Sequence, residues 1–316
     1  MKAVVATDYG PPENYVVTDV PVPRPGPGQI QVRIAAASIN PADVVLPSGE
    51  FGTVLEFPHV PGNDFAGTVT EIGPGVTAFR PGDEIFGQAV PRVLKAMTGA
   101  KKPSLSTGSL AEYAVFEADT PLLTHRPPSL NVQDAAALAT TGLTARALIT
   151  TAQPAAGETV LVVGATGGVG TALVPLLAAA GVKVIATATE QDAGLLHDLG
   201  ATETIRYDDA YPENVDAAFN AAVPSDRLDR IAQAVRPGGR LLTITYPLPE
   251  GGRDDIETKF ILDLAGALGG MREVAEAAVS GVLPATIGRR YTLDEGPRAC
   301  VDFVRKHTTG KLVVTV

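Results

Sequence analysis

The chain has 316 residues, of which 45% are hydrophobic and 19% are charged, and its formal net charge at pH 7 is -10. This composition is typical of a globular protein, and the length favours two domains over one. The acidic balance argues against binding to nucleic acid or anionic membranes, which requires clustered lysine and arginine. No stretch approaches the roughly 18 to 20 apolar residues of a membrane span, and the start has no leader pattern. We therefore expect a cytoplasmic protein with a small-molecule partner.

The first part of the chain, up to about residue 121, consists of short apolar runs separated by glycine and proline. Such punctuation predicts a β-rich lobe with tight turns. Residues 90–108 are predicted to form an irregular loop, interpreted either as a solvated surface loop or as a lid over an anionic substrate. The basic side chains of this loop are Arg92, Lys95, Lys101 and Lys102.

From about residue 131 the pattern changes to helical segments that alternate with buried strand runs. Strands separated by helices predict parallel pairing through right-handed crossovers, and therefore a doubly wound sheet. Further along, the run KFILDL predicts a strand near residues 259–264, and a helix is predicted near residues 271–280. The final run, GKLVVTV, predicts a strand that returns to the first lobe.

A glycine-rich turn at residues 164–170 follows the strand run 159–163 and precedes an apolar helical stretch. This order of strand, glycine turn and helix is that of a dinucleotide-binding unit. Gly167, Gly168 and Gly170 suit a turn whose backbone N–H groups approach a pyrophosphate at a helix N-terminus. The spacing departs by one residue from G-x-G-x-x-G, so the interpretation depends on this structural context.

The end of the second strand of this unit decides which dinucleotide binds, because an acidic residue there would hold the ribose diol of NAD. The chain has no acidic residue at that point until Glu190. The hydroxyl residues Thr187 and Thr189 leave room for a 2′-phosphate, so NADPH is favoured over NADH. A basic partner does not follow directly, and Arg206 and Tyr207, after the third strand, are the nearest substitutes.

Isolated reactive side chains receive structural interpretations. Cys300 is the single cysteine, which excludes an intramolecular disulfide and a cysteine-rich zinc site, and the spacing of its apolar neighbours predicts that it packs in a core. The four histidines form no ligand-spaced pair. Asp43 and Asp64 lie in turn-rich stretches, where aspartate commonly accepts hydrogen bonds from nearby backbone amides.

Several short motifs follow one another along the chain in addition to the glycine turn. They are SINPAD at 38–43, VPGNDFAGTV at 60–69, PGD at 81–83, AEY at 111–113, TTGLTA at 140–145, PGG at 237–239 and GKLV at 310–313. Together they resemble the medium-chain dehydrogenase/reductase superfamily, and in particular its zinc-independent quinone oxidoreductase branch. The resemblance extends over essentially the whole chain.

The resemblance implies an α/β fold with two lobes. A GroES-like, β-rich catalytic lobe is expected from residues 1–124 and 268–316, and a Rossmann lobe with a doubly wound parallel sheet from residues 125–267. It also implies a substrate cleft between the lobes and a homodimer joined through the edge of the Rossmann sheet. The strand near 259–264 is the candidate for that edge.

Zinc-containing members of the superfamily carry a cysteine where this chain has Asn40 and a histidine where it has Asn63. The resemblance therefore implies that no metal is bound. Without zinc as a Lewis acid, alcohol oxidation is disfavoured, whereas a conjugated carbonyl spreads incoming charge over its own π system. The expected activity is NADPH-dependent hydride transfer to a quinone or an α,β-unsaturated carbonyl.

The resemblance places Asn40 beside the nicotinamide and the substrate oxygen, although capping of a turn before Pro41 is an alternative role. Relatives often carry a tyrosine where this chain has Phe51, so Tyr246 is the substitute candidate for the proton donor, and water is the other. The catalytic candidates are thus Asn40 and Tyr246. The expected cofactor-binding residues are Asn40, Thr141, Thr166, Gly167, Gly168, Val169, Thr187, Thr189, Tyr207, Ala222, Thr245, Tyr246 and Lys311.

Two other functions stay open at this point. The first is a biosynthetic enoyl (thioester) reductase, for which the basic loop at 90–108 would provide an anion contact. The second is a non-catalytic NADPH-binding redox sensor, which is supported only by the missing hydroxyl at Phe51. Turnover of acyl thioesters but not quinones would indicate the first function, and cofactor binding without turnover would indicate the second.

Overall fold

The computed structural model describes all 316 residues. The chain forms two compact units, each with its own core. The first unit contains Met1–Thr140, Leu264–Val279 and Ile287–Val316, and the second contains Thr141–Asp263 and Ser280–Thr286.

The first part of the chain is mostly extended, in agreement with the β-rich lobe expected there. Its strands are β1 (Lys2–Val5), β2 (Val16–Asp19), β3 (Gln29–Ser38), β4 (Asp64–Ile72), β5 (Glu84–Gln88), β6 (Val90–Pro91), β7 (Leu105–Ser106), β8 (Tyr113–Glu117) and β9 (Leu123–His125). The helix α1 (Pro41–Ser48) lies between β3 and β4, and short 3-10 helices span Pro12–Asn14 and Arg92–Thr98.

The expectation of an irregular loop at residues 90–108 was wrong in part. This segment contains β6, the second 3-10 helix and β7. Leu94 and Leu105 are buried in one apolar cluster with Leu46 and Leu55, and this packing orders the segment.

The middle of the chain alternates between helices and strands. Its elements are α2 (Val132–Ala152), β10 (Thr159–Val163), α3 (Gly168–Ala179), β11 (Lys183–Thr187), α4 (Ala193–Asp198), β12 (Glu203–Ile205), β13 (Val215–Asn220), α5 (Asp229–Ala234), β14 (Val235–Thr243) and β15 (Glu257–Phe260). β15 therefore begins and ends earlier than the strand expected at residues 259–264. The final elements are α6 (Met271–Val279), β16 (Ile287–Thr292), a 3-10 helix Leu293–Glu295, α7 (Gly296–Arg305) and β17 (Lys311–Thr315).

The first unit is built around a curled, mostly antiparallel sheet. Its strands follow the order β6-β7-β8-β3-β4-β5-β9, and β17 pairs antiparallel with β3 and parallel with β16. The return of the last strand to the first lobe is thus confirmed. The fully buried rings of Phe65 and Phe116 stack with centroids 3.9 Å apart in the core of this unit.

The first unit continues to Thr140, whereas the sequence analysis placed the lobe boundary at residue 124. The beginning of α2 explains this difference, because it is hydrogen-bonded to strands of the first unit. The Ser38 Oγ atom lies 3.0 Å from the Ala136 carbonyl oxygen, and the Asp64 carboxylate accepts from the Thr140 backbone N–H at 3.1 Å.

The second unit contains a six-stranded parallel sheet in the order β12-β11-β10-β13-β14-β15. From β10 the chain first builds outward through β11 and β12, and then builds in the opposite direction through β13 and β14. This reversal confirms the doubly wound sheet, and it opens a crevice at the carboxyl ends of β10 and β13, where such sheets bind ligands. No helix anywhere in the chain is both long enough and apolar enough to cross a membrane.

Candidate functional site

The glycine turn lies at the carboxyl end of β10. Gly164 has a φ of +89°, a conformation that favours glycine. A Cβ on Gly170 would lie 2.2 Å from the Gly164 carbonyl oxygen, so the start of α3 packs directly against the turn. A Cβ on Gly167 would meet only that same oxygen, at 3.5 Å, and Gly167 therefore borders open space. The turn leaves backbone N–H groups at the N-terminus of a twelve-residue helix free to face an anion.

Thr166 supports this interpretation of the turn. Its hydroxyl oxygen is one of two buried side-chain polar atoms that have no hydrogen-bond partner within the chain. Buried polar atoms are normally paired, so an unpaired one inside a glycine turn is consistent with a missing ligand. The turn and this hydroxyl fit a pyrophosphate.

Thr187 has a different role from the one expected. Its side chain is completely buried, and its hydroxyl accepts a hydrogen bond from the Gly164 N–H at 3.0 Å and donates to the Val162 carbonyl at 3.3 Å. These bonds hold the glycine turn against β11. The hydroxyl is consequently not a donor for a 2′-phosphate, and this part of the expectation is corrected.

The other residues expected near a 2′-phosphate lie at the ends of β11 and β12. The Thr189 hydroxyl donates to the Asp192 carboxylate at 2.6 Å. Arg206 is exposed and its Nε lies 3.3 Å from Asp208 Oδ1, and the Tyr207 ring packs partly buried against the core of the second unit. Arg206 is the cation expected at this point, and neither the Thr187 nor the Thr189 hydroxyl is left without a partner.

A neutral network of side chains lies at the carboxyl ends of β13 and β14. We define the neutral network as Asn220, Ser225, Thr243 and Thr245. The Asn220 Nδ2 group lies 2.9 Å from Thr243 Oγ1 and 3.0 Å from Thr245 Oγ1, and Ser225 Oγ lies 2.7 Å from Thr243 Oγ1. Only Thr245 of these four was expected at the site. Asn220 and Thr243 are the polar last residues of two buried strands, a signal that would have identified them.

The remaining expected residues of the second unit surround these two features. Ala222 lies beside the glycine turn, since its Cβ would be 2.9 Å from a Cβ on Gly164, and its N–H donates to Asn220 Oδ1 at 3.3 Å. Tyr246 is 45% exposed, and its ring centroid lies 5.0 Å from that of Phe260. Partial burial raises the pKa of Tyr246. Thr141, at the start of this unit, is buried.

The first unit contains a charged cluster, which we define as Asn40, Asp43, Asp64 and Lys311. All four residues are at most 6% exposed. The Lys311 Nζ atom lies 2.7 Å from Asn40 Oδ1 and 3.4 Å from Asp64 Oδ2. Asn40, which precedes α1, and Lys311, the first residue of β17, were both expected at the site, and the fold brings them into contact.

Both aspartates of the charged cluster accept backbone hydrogen bonds, and for Asp43 one donor is nearby in sequence, as expected, whereas the donor to Asp64 is the distant Thr140. Asp43 accepts from the N–H groups of Asn40 at 2.8 Å and Gly62 at 2.9 Å. Burial is the main cause that raises the pKa of Asp43 to about 7, and the neighbouring Asp64 adds to it. Burial also lowers the pKa of Lys311, while Asp64 and Asp43 act in the opposite direction.

The residues present do not fit a zinc ion at this point. No group of three or more histidine, cysteine, aspartate or glutamate side chains in the chain is arranged to hold a metal. The ammonium group of Lys311 already contacts the oxygens of Asn40 and Asp64. A metal cation bound to the same oxygens would be repelled by this positive charge.

A parallel sheet that reverses its strand order beside a glycine turn, together with a β-rich unit built from both chain ends, defines a two-unit protein of the dehydrogenase and reductase class. Residues 26–127 match the family model of the alcohol dehydrogenase GroES-like domain, and residues 199–314 match that of zinc-binding dehydrogenase. The chain belongs to the medium-chain dehydrogenase/reductase superfamily and is an oxidoreductase.

Three similar proteins illustrate the relationship. A quinone oxidoreductase from Mus musculus is 29% identical, over 99% of this chain and 97% of its own. An NADPH-dependent alkenal/one oxidoreductase, chloroplastic, from Arabidopsis thaliana is 31% identical, over 78% of this chain and 62% of its own. A mycobacterial protein crystallised with NADPH has a TM-score of 0.84 and 26% identity, covering 100% of both chains.

Proposed function

We propose that this oxidoreductase transfers a hydride from NADPH to a conjugated carbonyl, either a quinone or an α,β-unsaturated aldehyde or ketone. The observation that carries the proposal is the glycine turn with the unpartnered, buried Thr166 hydroxyl at the carboxyl end of β10. The names of the relatives support both the cofactor and the two substrate classes. The GroES-like lobe, expected at 1–124 and 268–316, would provide Asn40, and the Rossmann lobe, expected at 125–267, would bind the cofactor and provide Tyr246.

When bound, NADPH would supply the hydride. The residues proposed to hold its phosphates are Thr166, Gly167, Gly168 and Val169, and those proposed to line the remainder are Thr141, Thr189, Tyr207, Ala222, Thr245 and Tyr246. Asn40 is proposed to donate a hydrogen bond to the carbonyl oxygen, which gains negative charge during reduction. Tyr246 is proposed as the proton donor, because Phe51 packs against an apolar cluster and has no hydroxyl.

The preference for NADPH over NADH is proposed to depend on Arg206. The threonine hydroxyls at the end of β11 already have partners, so Arg206 is the side chain that can neutralise a 2′-phosphate. An Arg206→Ala variant should bind NADPH at least several-fold more weakly and bind NADH as before. Equal losses for both cofactors would contradict this assignment.

The glycine turn allows a test of cofactor binding that is independent of turnover. Gly167→Ala should leave the fold intact, because its Cβ has room, but should block the approach of a pyrophosphate. We expect the Kd for NADPH, measured by calorimetry, to rise at least about tenfold, which corresponds to about 1.4 kcal/mol. Gly194→Ala is the matched control, since a Cβ there meets nothing within 4 Å. An unchanged Kd for Gly167→Ala would place the cofactor elsewhere.

The substrate class is tested with a panel of quinones, simple enones and enoyl thioesters, using NADPH and NADH in parallel. Turnover of quinones or enones with NADPH is the expected result. Turnover of thioesters alone would indicate the biosynthetic reductase, and tight NADPH binding without turnover would indicate a redox sensor. Two cations of the basic loop are already paired with carboxylates, which argues against their contact with a thioester substrate. Arg92 lies 3.8 Å from Glu117 Oε1, and Lys102 lies 2.8 Å from Asp119 Oδ2.

The proposal extends to assembly, metal content and location. β15 lies at the edge of the parallel sheet and pairs only with β14 within the chain, so its outer side is free to form a homodimer. Sedimentation should therefore give twice the chain mass of 32.6 kDa.

Activity should survive chelators because no zinc takes part, and cell fractionation should find the protein in the cytoplasm.

A further inference from the structure

Lys311 was expected to bind the cofactor, but its surroundings indicate another role. The side chain is 7% exposed, and its Nζ atom faces the Ile39 carbonyl at 2.6 Å, Asn40 Oδ1 at 2.7 Å and Asp64 Oδ2 at 3.4 Å. An ammonium group has three hydrogens and no acceptor. Each hydrogen therefore already has an oxygen of the first unit, and none is left for a ligand.

The contact with Lys311 fixes which way the Asn40 amide points. A lysine can only donate, so the atom of Asn40 that faces it must be the oxygen. The amide nitrogen then points away from Lys311, and one of its two hydrogens is used by the Ser38 carbonyl at 3.2 Å. The second hydrogen remains available as a donor.

We propose that Lys311 is a positioning residue, which holds Asn40 so that its amide nitrogen donates to the carbonyl oxygen of the substrate. This inference rests on the proposed function, because it assumes that a carbonyl is reduced at Asn40. Reversal of the amide would present an oxygen to the substrate oxygen and would repel the developing charge. A fixed donor needs no reorganisation when the charge develops, and one such donor is typically worth about 100- to 1000-fold in rate.

Asp64 keeps Lys311 in place. Its carboxylate is completely buried and accepts hydrogen bonds from the Ser38 hydroxyl at 2.8 Å and from the backbone N–H and hydroxyl of Thr140. These donors come from β3 and α2, so the carboxylate cannot move without breaking contacts to two elements. Asp64 thus fixes the position of Lys311, and Lys311 in turn fixes the orientation of the Asn40 amide.

The test is a double-mutant cycle on the full-length protein with Lys311→Met and Asn40→Ala. Each single variant should lower kcat for a quinone or enone about 100-fold, while the double variant loses no more than either single one. The Kd for NADPH should change less than about threefold in Lys311→Met. Lys2→Met, which removes an exposed lysine paired with Asp294, is the matched control and should retain wild-type kcat.

Several results would overturn the proposal. If the two single losses in kcat multiply in the double variant, Lys311 acts independently of Asn40. If Lys311→Met binds NADPH tenfold more weakly, Lys311 binds the cofactor. If Lys311→Met fails to fold, Asn40→Asp provides the test, because a carboxylate keeps the bond to Lys311 but cannot donate. This variant should still fold and should lose about 100-fold in kcat, and wild-type turnover would refute the proposal.

A readout without turnover separates this inference from the proposed function. The side-chain amide of Asn40 should give one sharp pair of proton signals in the NMR spectrum of the wild type. In Lys311→Met the pair should broaden or double, because the amide is free to reverse. Unchanged signals would refute the positioning role even if the enzyme reduces quinones, whereas a wild type that reduces no carbonyl would refute the proposed function by itself.

Discussion

The charged cluster of the first unit and the neutral network of the second solve the same problem in different ways. Each buries polar side chains that must be hydrogen-bonded, because an unpaired buried polar group is costly. The charged cluster uses one lysine between two aspartates, whereas the neutral network uses an amide and three hydroxyls. The first is rigid but sensitive to protonation and to the loss of any single charge. The second has no group that titrates near neutral pH.

The largest expected effect is in the charged cluster. Asp64→Asn removes the counter-charge of the buried Lys311 ammonium and replaces two acceptor oxygens by one. Removal of one partner of a buried ion pair typically costs about 3 to 5 kcal/mol of unfolding free energy. Urea denaturation followed by far-UV circular dichroism measures this loss. Asp119→Asn, which breaks the exposed pair with Lys102, should cost less than about 1 kcal/mol. Equal losses of unfolding free energy for Asp64→Asn and Asp119→Asn would show that burial does not increase the contribution of the Asp64–Lys311 pair to stability.

A smaller effect is expected from the neutral network. Asn220→Ala removes one of two donors to the Val223 carbonyl, at 2.7 Å, and the acceptor for the Val223 N–H, at 2.9 Å. Loss of partners for buried polar groups costs about 1 to 3 kcal/mol. Ser225→Ala is the milder comparison, because Thr243 and Thr245 can still bond to each other at 3.1 Å. The loss should be the same at acidic and neutral pH, and a strong pH dependence would contradict the neutral character of the network.

The smallest effect concerns pH. Asp43 has a pKa of about 7 in the folded chain against an ordinary value of 3.8, so the folded state holds a proton that the unfolded state releases. Its contribution to stability is therefore complete below about pH 4 and is lost as pH rises towards 7. Relative to Asp43→Asn, the wild type should lose about 1 kcal/mol between about pH 6 and pH 7, since one pKa unit corresponds to about 1.4 kcal/mol and the folded group is itself half-ionised at the end of this interval.

Thermal unfolding of both proteins across this pH range provides the measurement. Asp302 is a suitable comparison, because its pKa is lowered by hydrogen bonds from Lys306 and Tyr291 and its pH response has the opposite sign. Asp302→Asn should therefore remove stability that the wild type gains below about pH 4, as pH rises through the lowered pKa of Asp302, so the measurements extend to about pH 3. Parallel curves for the wild type and Asp43→Asn would show that Asp43 keeps an ordinary pKa in the folded state.

Much of the fold follows from local sequence patterns. Alternation of buried strands with helices predicted the doubly wound sheet, and short runs punctuated by glycine and proline predicted the β-rich lobe. The glycine turn could be located because the required conformations and the lack of Cβ atoms are local properties. The limits of β15 and the order within residues 90–108 were missed, since burial of Leu94 and Leu105 depends on residues far away in the chain.

The sequence by itself determined the class of fold, the position of the glycine turn and the candidate Asn40, because each depends on a few neighbouring residues. Only the tertiary structure decided how candidate side chains are used. It directed the Thr187 hydroxyl into the turn, joined Asn220 to Thr243 across two strands, and surrounded Lys311 with oxygens from β4 and from the two residues before α1. A side chain can donate to a ligand only through hydrogens that the fold leaves unpaired. Which hydrogens stay unpaired is decided by contacts between residues that are distant in sequence.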